Sequence, residues 1–209
     1  MTPAQIKSTI ETRYNAVGDS FFSDMVPDII YQGCLELATE AFVIENVYNT
    51  TSVSGTRTYA FPTTAISIRR VEYNGDKCYP VSVDQDPKTS TTEITGQPRE
   101  YAVWDNEVIF YPTPDATGDT IEIYTYNEPQ PVTDTSVLEI PTEYHMSLVD
   151  LGLSIFYAKD GNQQMAQYHK GLWDQSVNRI KRSTAKKKRG DGFVVVRDCA
   201  DESDILRNY

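Results

Sequence analysis

His145 and His169 are the two side chains in this sequence best suited to moving a proton or holding a metal near neutral pH. They lie 24 residues apart, a spacing that could bring two imidazoles together across a helical hairpin. Helix histidines more often serve as capping or interfacial groups. An enzyme built on this pair would lose its activity with either His→Ala change. HExxH, GxSxG, P-loop and dinucleotide-binding patterns are all absent. Cys34, Cys78 and Cys199 are odd in number and widely spaced, with no CxxC and no adjacent histidine, which suits neither a disulfide framework nor a zinc site. Asp198, Asp201, Glu202 and Asp204 form an acidic cluster without the turn glycine and closing glutamate of a calcium loop. The chain is therefore read as a non-enzyme without catalytic residues, metal or cofactor.

Two other groups of residues carry binding chemistry. Arg179, Lys181, Arg182, Lys186, Lys187, Lys188 and Arg189 crowd into eleven positions that contain no acidic residue. The rest of the chain holds 12 basic against 30 acidic side chains, a balance of -18 beside the -11 of the whole. Such a run either offsets the dipole at a helix C-terminus or faces a negative partner, which includes a neighbouring copy of the same acidic body. Beyond it, Gly190, Asp191 and Gly192 break the helix before Phe193, Val194, Val195 and Val196, a β-prone run. An acidic-apolar ending follows, with Ile205, Leu206 and Tyr209. A strand placed after a finished helical layer either returns to its own sheet or adds to another chain's edge by β-augmentation. The second option makes residues 190–209 an extended partner-binding arm.

The elements that position these groups are legible from periodicity. Thr2 as N-cap with Pro3 in the first turn opens a helix carrying Ile6, Ile10 and Tyr14, closed at Gly18. A second helix, capped by Ser23 or Asp24, carries Ile30, Cys34, Leu37, Ala41, Ile44 and Tyr48 at three- and four-residue spacing. From Thr50 the period becomes two, and about eighty residues read as antiparallel β structure. Asn74-Gly75 and Asp105-Asn106 mark two tight hairpins, because both dipeptides tolerate positive φ. Residues 84–98 form a long threonine-rich loop. After Pro129, Pro131 and Pro141, helical stripes return: Tyr144, Leu148, Leu151, Ile155 and Ala158, then Met165, His169, Leu172, Trp173, Val177 and Ile180.

The expected fold class is α+β. Residues 1–49 and 130–189 pair their helices into a four-helix body, 50–129 form an inserted antiparallel β module, and 190–209 extend as the arm. With 209 residues the chain can bury a real core, and its fourteen tyrosines suit either interfaces or half-exposed strand faces. The net negative charge opposes wholesale wrapping of nucleic acid. The start of the chain lacks the charged and apolar regions of a signal peptide and no run of eighteen apolar residues occurs, so an unexported protein without membrane contact is expected.

The layout resembles a known family. Two N-terminal helices precede a tyrosine-rich β insertion containing Trp104-Asp105-Asn106-Glu107-Val108-Ile109-Phe110-Tyr111-Pro112-Thr113-Pro114, and Ile140-Pro141-Thr142-Glu143-Tyr144-His145 opens a helical pair. Over residues 1–189 this is similar to the head-to-tail adaptor (connector) proteins of tailed bacteriophages. The resemblance implies a structural virion protein at the head–tail junction, made in the host cytoplasm. It implies a ring, commonly of twelve copies, beneath the portal protein, with the other face offered to a tail or nozzle protein. The C-terminal extension then reaches the portal, and DNA passes through the channel as cargo. The competing reading is a nucleic-acid-binding module using residues 179–189, which requires DNA affinity to fall steeply with salt.

Overall fold

The computed structural model describes residues 1–83 and 94–188. Most of the threonine-rich loop, Arg189 and the arm 190–209 lie outside the described residues. The chain divides into two compact units, one holding Met1–Val43 and the described chain from Pro129 on, the other Ile44–Glu128.

The first unit is helical. α1 (Pro3–Tyr14) starts at a capping box: the Thr2 hydroxyl accepts from the Gln5 amide and the Gln5 side chain accepts from the Thr2 amide. It ends when Asn15 turns left-handed at φ 63°, three residues before Gly18. A single-turn helix, α2 (Ser20–Ser23), follows. α3 (Val26–Ala41) buries Ile30, Cys34, Leu37 and Ala41, the stripe read from the sequence. The stripe does not continue through Ile44 and Tyr48. Phe42 adopts φ 51° and closes the helix, and Tyr48 lies in a strand. The β-branched and asparagine-rich stretch from Asn46 to Thr51 favours extended backbone over helix.

A 3₁₀ turn (Thr142–Tyr144) leads into α4 (His145–Lys159), and α5 (Gln163–Lys188) completes the unit. α4 packs against α1, α3 and α5, and α5 also packs against α3. Of the stripe read from the sequence, Leu148 and Leu151 are buried, Tyr144 and Ile155 half-buried and Ala158 exposed, while Val149, Gly152, Leu153 and Phe156, off that stripe, are buried. A helix enclosed by three neighbours has no solvent face to keep polar. Two glycines permit this closeness. A Cβ at Gly152 would stand 2.5 Å from Ile10 Cδ1, and one at Gly33 would stand 2.6 Å from Leu148 Cδ2.

The second unit is one seven-stranded sheet: β1 (Glu45–Thr51), β2 (Thr58–Ala60), β3 (Ala65–Tyr73), β4 (Asp76–Pro80), β5 (Glu100–Trp104), β6 (Glu107–Tyr111) and β7 (Thr120–Asn127). Their order across the sheet is β1-β7-β3-β4-β5-β6-β2. Asn74 and Gly75 sit at φ 50° and 80° and join β3 to β4; Asp105 and Asn106, at 49° and 60°, join β5 to β6. Both hairpins follow the sequence reading. The sheet is mixed, however, because β5 runs parallel to β4, pairing Tyr79 with Glu100 and Pro80 with Tyr101. The long excursion between these strands brings the chain back to the start of β4, which a tight hairpin could not do. Its last part is fixed by Thr95, bridged in parallel to Thr113. One face of the sheet encloses Tyr59, Phe61, Val71, Tyr73, Val108, Phe110, Ile121 and Ile123.

Burial raises the pKa of three acidic groups in these cores. The Cys34 thiol is pushed up to about 12 and the Cys78 thiol to about 11, in both cases first by loss of hydration. The Tyr73 phenol rises to about 12, again first through burial, and its donation to Asp119 at 2.8 Å adds to the rise. The folded protein therefore holds protons that the unfolded chain releases above pH 9 for the thiols and 10 for the phenol. Stability should be intact below about pH 9 and decline as pH rises toward 12. Urea midpoints taken from pH 8 to 11 should fall steadily; a flat profile would contradict the burial of these groups.

Candidate partner interface

The two histidines do not form a joint site. His145 is buried, with Nδ1 2.9 Å from the Met1 ammonium and Nε2 3.0 Å from the Ile140 carbonyl. The ring therefore accepts at Nδ1 and donates at Nε2, tying the chain start to the helical unit. His169 Nδ1 lies 3.1 Å from Asp150 Oδ1, and its ring stacks on Tyr157 at 5.7 Å and 8°. Each imidazole is occupied by structural contacts of its own. Among the described residues no group of three His, Cys, Asp or Glu side chains is arranged to hold a metal.

The basic run occupies the last turns of α5. What fixes that helix lies upstream: Trp173 is fully buried and its Nε1 donates to Glu36 at 3.1 Å, while Val177, Ile180 and Thr184 continue the inward face. Lys181 turns toward α3 and pairs with Glu40. Arg179, Arg182 and Lys186, at three- and four-residue spacing, fall together on the outward face and are exposed. None of these three has an ion-pair partner among the described residues. The structure thus separates the run into one cation that holds two helices together and a row that faces outward. Lys187 and Lys188 extend the helix. Phe193, Val194, Val195, Val196, Ile205, Leu206 and Tyr209 lie outside the described residues, as does Arg189.

The sheet unit carries a surface that sequence reading did not single out. Trp104, at the end of β5, is 66% exposed, and Tyr79, on β4, is exposed as well. Trp104 pairs directly with Glu107 across the hairpin, and Tyr79 sits beside Glu100 across the parallel pair. Pleating places all four on the face opposite Tyr101, Val108 and Phe110, a face that also holds the buried Ala102 and Tyr111. The available signal was the register set by Asp105-Asn106. With the turn fixed, Tyr101 points to the core and Trp104, three residues on, points away.

A family model described as the SU10 adaptor protein matches residues 1–197. The match spans nearly the whole chain, so this protein belongs to the SU10 adaptor protein family, a family of bacteriophage virion adaptors. No curated protein matches the sequence. No described helix is long and apolar enough to cross a membrane.

Proposed function

We propose that this protein is the head-to-tail adaptor of a tailed phage: a ring, of twelve copies in the arrangement the resemblance implies, that joins the portal protein to the tail or nozzle and surrounds the DNA passage. The observation that carries the reading is the family match over residues 1–197. In this reading the helical unit, Met1–Val43 with the described chain from Pro129 on, builds the ring, the sheet unit Ile44–Glu128 is available to the tail side, and the arm 190–209 clamps the portal. The acidic body lets DNA slide by repelling its phosphates. No catalytic step is involved.

Burial of Phe193, Val194, Val195, Val196, Ile205 and Leu206 favours engagement of an arm, and the cost of ordering the segment opposes it. One arm is therefore a weak ligand. Arms presented together by a ring act intramolecularly after the first engagement, which gives a lasting joint.

Truncation after Arg189 tests the reading. The shortened chain should remain folded by circular dichroism and lose capture by the purified portal ring by more than about a hundredfold, the factor that about 3 kcal/mol per arm represents. Undiminished portal capture by the truncated chain would overturn the assignment of the arm.

A further inference from the structure

We propose that the outward face of the β5–β6 hairpin, centred on Trp104, docks the Arg179, Arg182 and Lys186 face of α5 from a second copy of this chain. This deepens the adaptor reading and rests on it, since it adds to the ring made by the helical body a contact from the β5–β6 edge of the sheet unit to a neighbouring subunit.

The two surfaces have complementary chemistry. Trp104 with Glu107, and Tyr79 with Glu100, are two aromatic–carboxylate pairs on one sheet face. Such a pair offers a cation a negative π-face and a carboxylate at once. Neither Glu100 nor Glu107 has an ion-pair partner among the described residues. The same sheet already satisfies its own arginine in this way: the Arg70 guanidinium lies 4.2 Å over the Tyr124 ring and 3.0 Å from Glu72. The exposed Trp104 ring beside Glu107 is where a further cation can enter; at the other pair, Lys77 already lies 5.3 Å from the Tyr79 ring, and Arg57 lies 4.6 Å over Tyr111, the cross-strand partner of Glu100.

The spacings agree. Glu100 and Trp104 are four residues apart along β5, which separates the two pairs by about 13 Å at strand rise. Arg179 and Lys186 are seven residues apart on α5, about 10 Å at helical rise, with Arg182 between them. Flexible cationic side chains span the remainder. Trp and Arg are also the residue types that dominate interface energetics. The two surfaces differ, so the contact is heterologous: each copy presents one to each neighbour, and repetition closes a ring or grows a filament.

The test uses the full-length chain in sedimentation velocity up to millimolar concentration at low salt. Wild type should self-associate, more weakly as salt rises. Trp104→Ala and the Arg179→Glu/Arg182→Glu/Lys186→Glu variant should each weaken association by about thirtyfold or more, the change that marks a hot spot. Trp104→Phe, which keeps an aromatic face, should retain most of it. Mixing the two defective variants is decisive, because each keeps one competent face: they should form a heterodimer and stop there. Association unchanged in either variant, no heterodimer on mixing, or a wild type that stays monomeric throughout would each overturn the contact. A charge-reversed variant that loses only affinity for duplex DNA would overturn it in favour of nucleic-acid binding. Portal capture by the same variants keeps the two readings apart. If they still bind the portal, the adaptor reading stands without this contact; if wild type neither associates nor binds portal, both fall.

Discussion

Replacing Trp173 with alanine is expected to lower the stability of the helical unit by roughly 3 to 5 kcal/mol, the range for deleting a large aromatic from a packed core. Trp173 is fully buried between α5 and α3, and its ring edge lies near the site where a Cβ at Gly33 would stand. Its removal also leaves Glu36 without the 3.1 Å hydrogen bond from Nε1. The cavity cannot close by sliding α3 inward, because Leu148 and Leu151 already occupy the approach at Gly33. Trp173→Phe restores most of the volume and should recover a large part of the loss while leaving the Glu36 bond unmade. Urea denaturation of the two variants measures the difference. A Trp173→Ala protein within 1 kcal/mol of wild type, on the scale of a surface change, would contradict the packing described.

Phe110→Ala should have a comparable effect on the sheet unit, again roughly 3 to 5 kcal/mol. The Phe110 ring is fully buried and packs edge-on against both Tyr59 at 5.7 Å and Tyr73 at 6.0 Å. Those contacts join β6 to β2 and β3, strands that are not hydrogen-bonded neighbours except for β2 and β6. Loss of the ring therefore loosens the sheet across its width, and both tyrosine hydroxyls feel it. The Tyr59 hydroxyl serves Val53 and Thr56, and Tyr73 donates to Asp119. Near-ultraviolet circular dichroism of Phe110→Ala should lose tyrosine signal at lower urea than wild type. An unchanged tyrosine transition would show that this ring is not the keystone of the sheet.

Much of this architecture is readable in the residues, for local reasons. Thr2, Asn74-Gly75 and Asp105-Asn106 act through their own backbone geometry, so their caps and turns appear as the sequence implies. The inward stripes of α3 and α5 follow from periodicity. What periodicity could not reveal depends on neighbours. α4 is enclosed on several sides, which erases the amphipathic pattern, and the parallel β4–β5 pairing is fixed by where the chain returns after a long excursion. Tyr48 fits a helical stripe by spacing alone, but the left-handed Phe42 stops the helix before it. In the candidate interface, the charge run was visible in sequence, while its division between Lys181 and the outward row depended on which way α5 faces. Trp104 was visible as an aromatic in a strand, and its exposure followed only from the hairpin register.

The enclosure of α4 has a further consequence for how such a protein can change over time. Gly33 and Gly152 leave no room for added bulk along two of its contacts, so drift there is confined to near-isosteric replacement. The outer rim of α5 carries no such restriction, since swapping Arg179, Arg182 or Lys186 displaces no packed neighbour. Compatibility with a diverging companion can then be retuned through a few solvent-facing codons while the scaffold stays as it is.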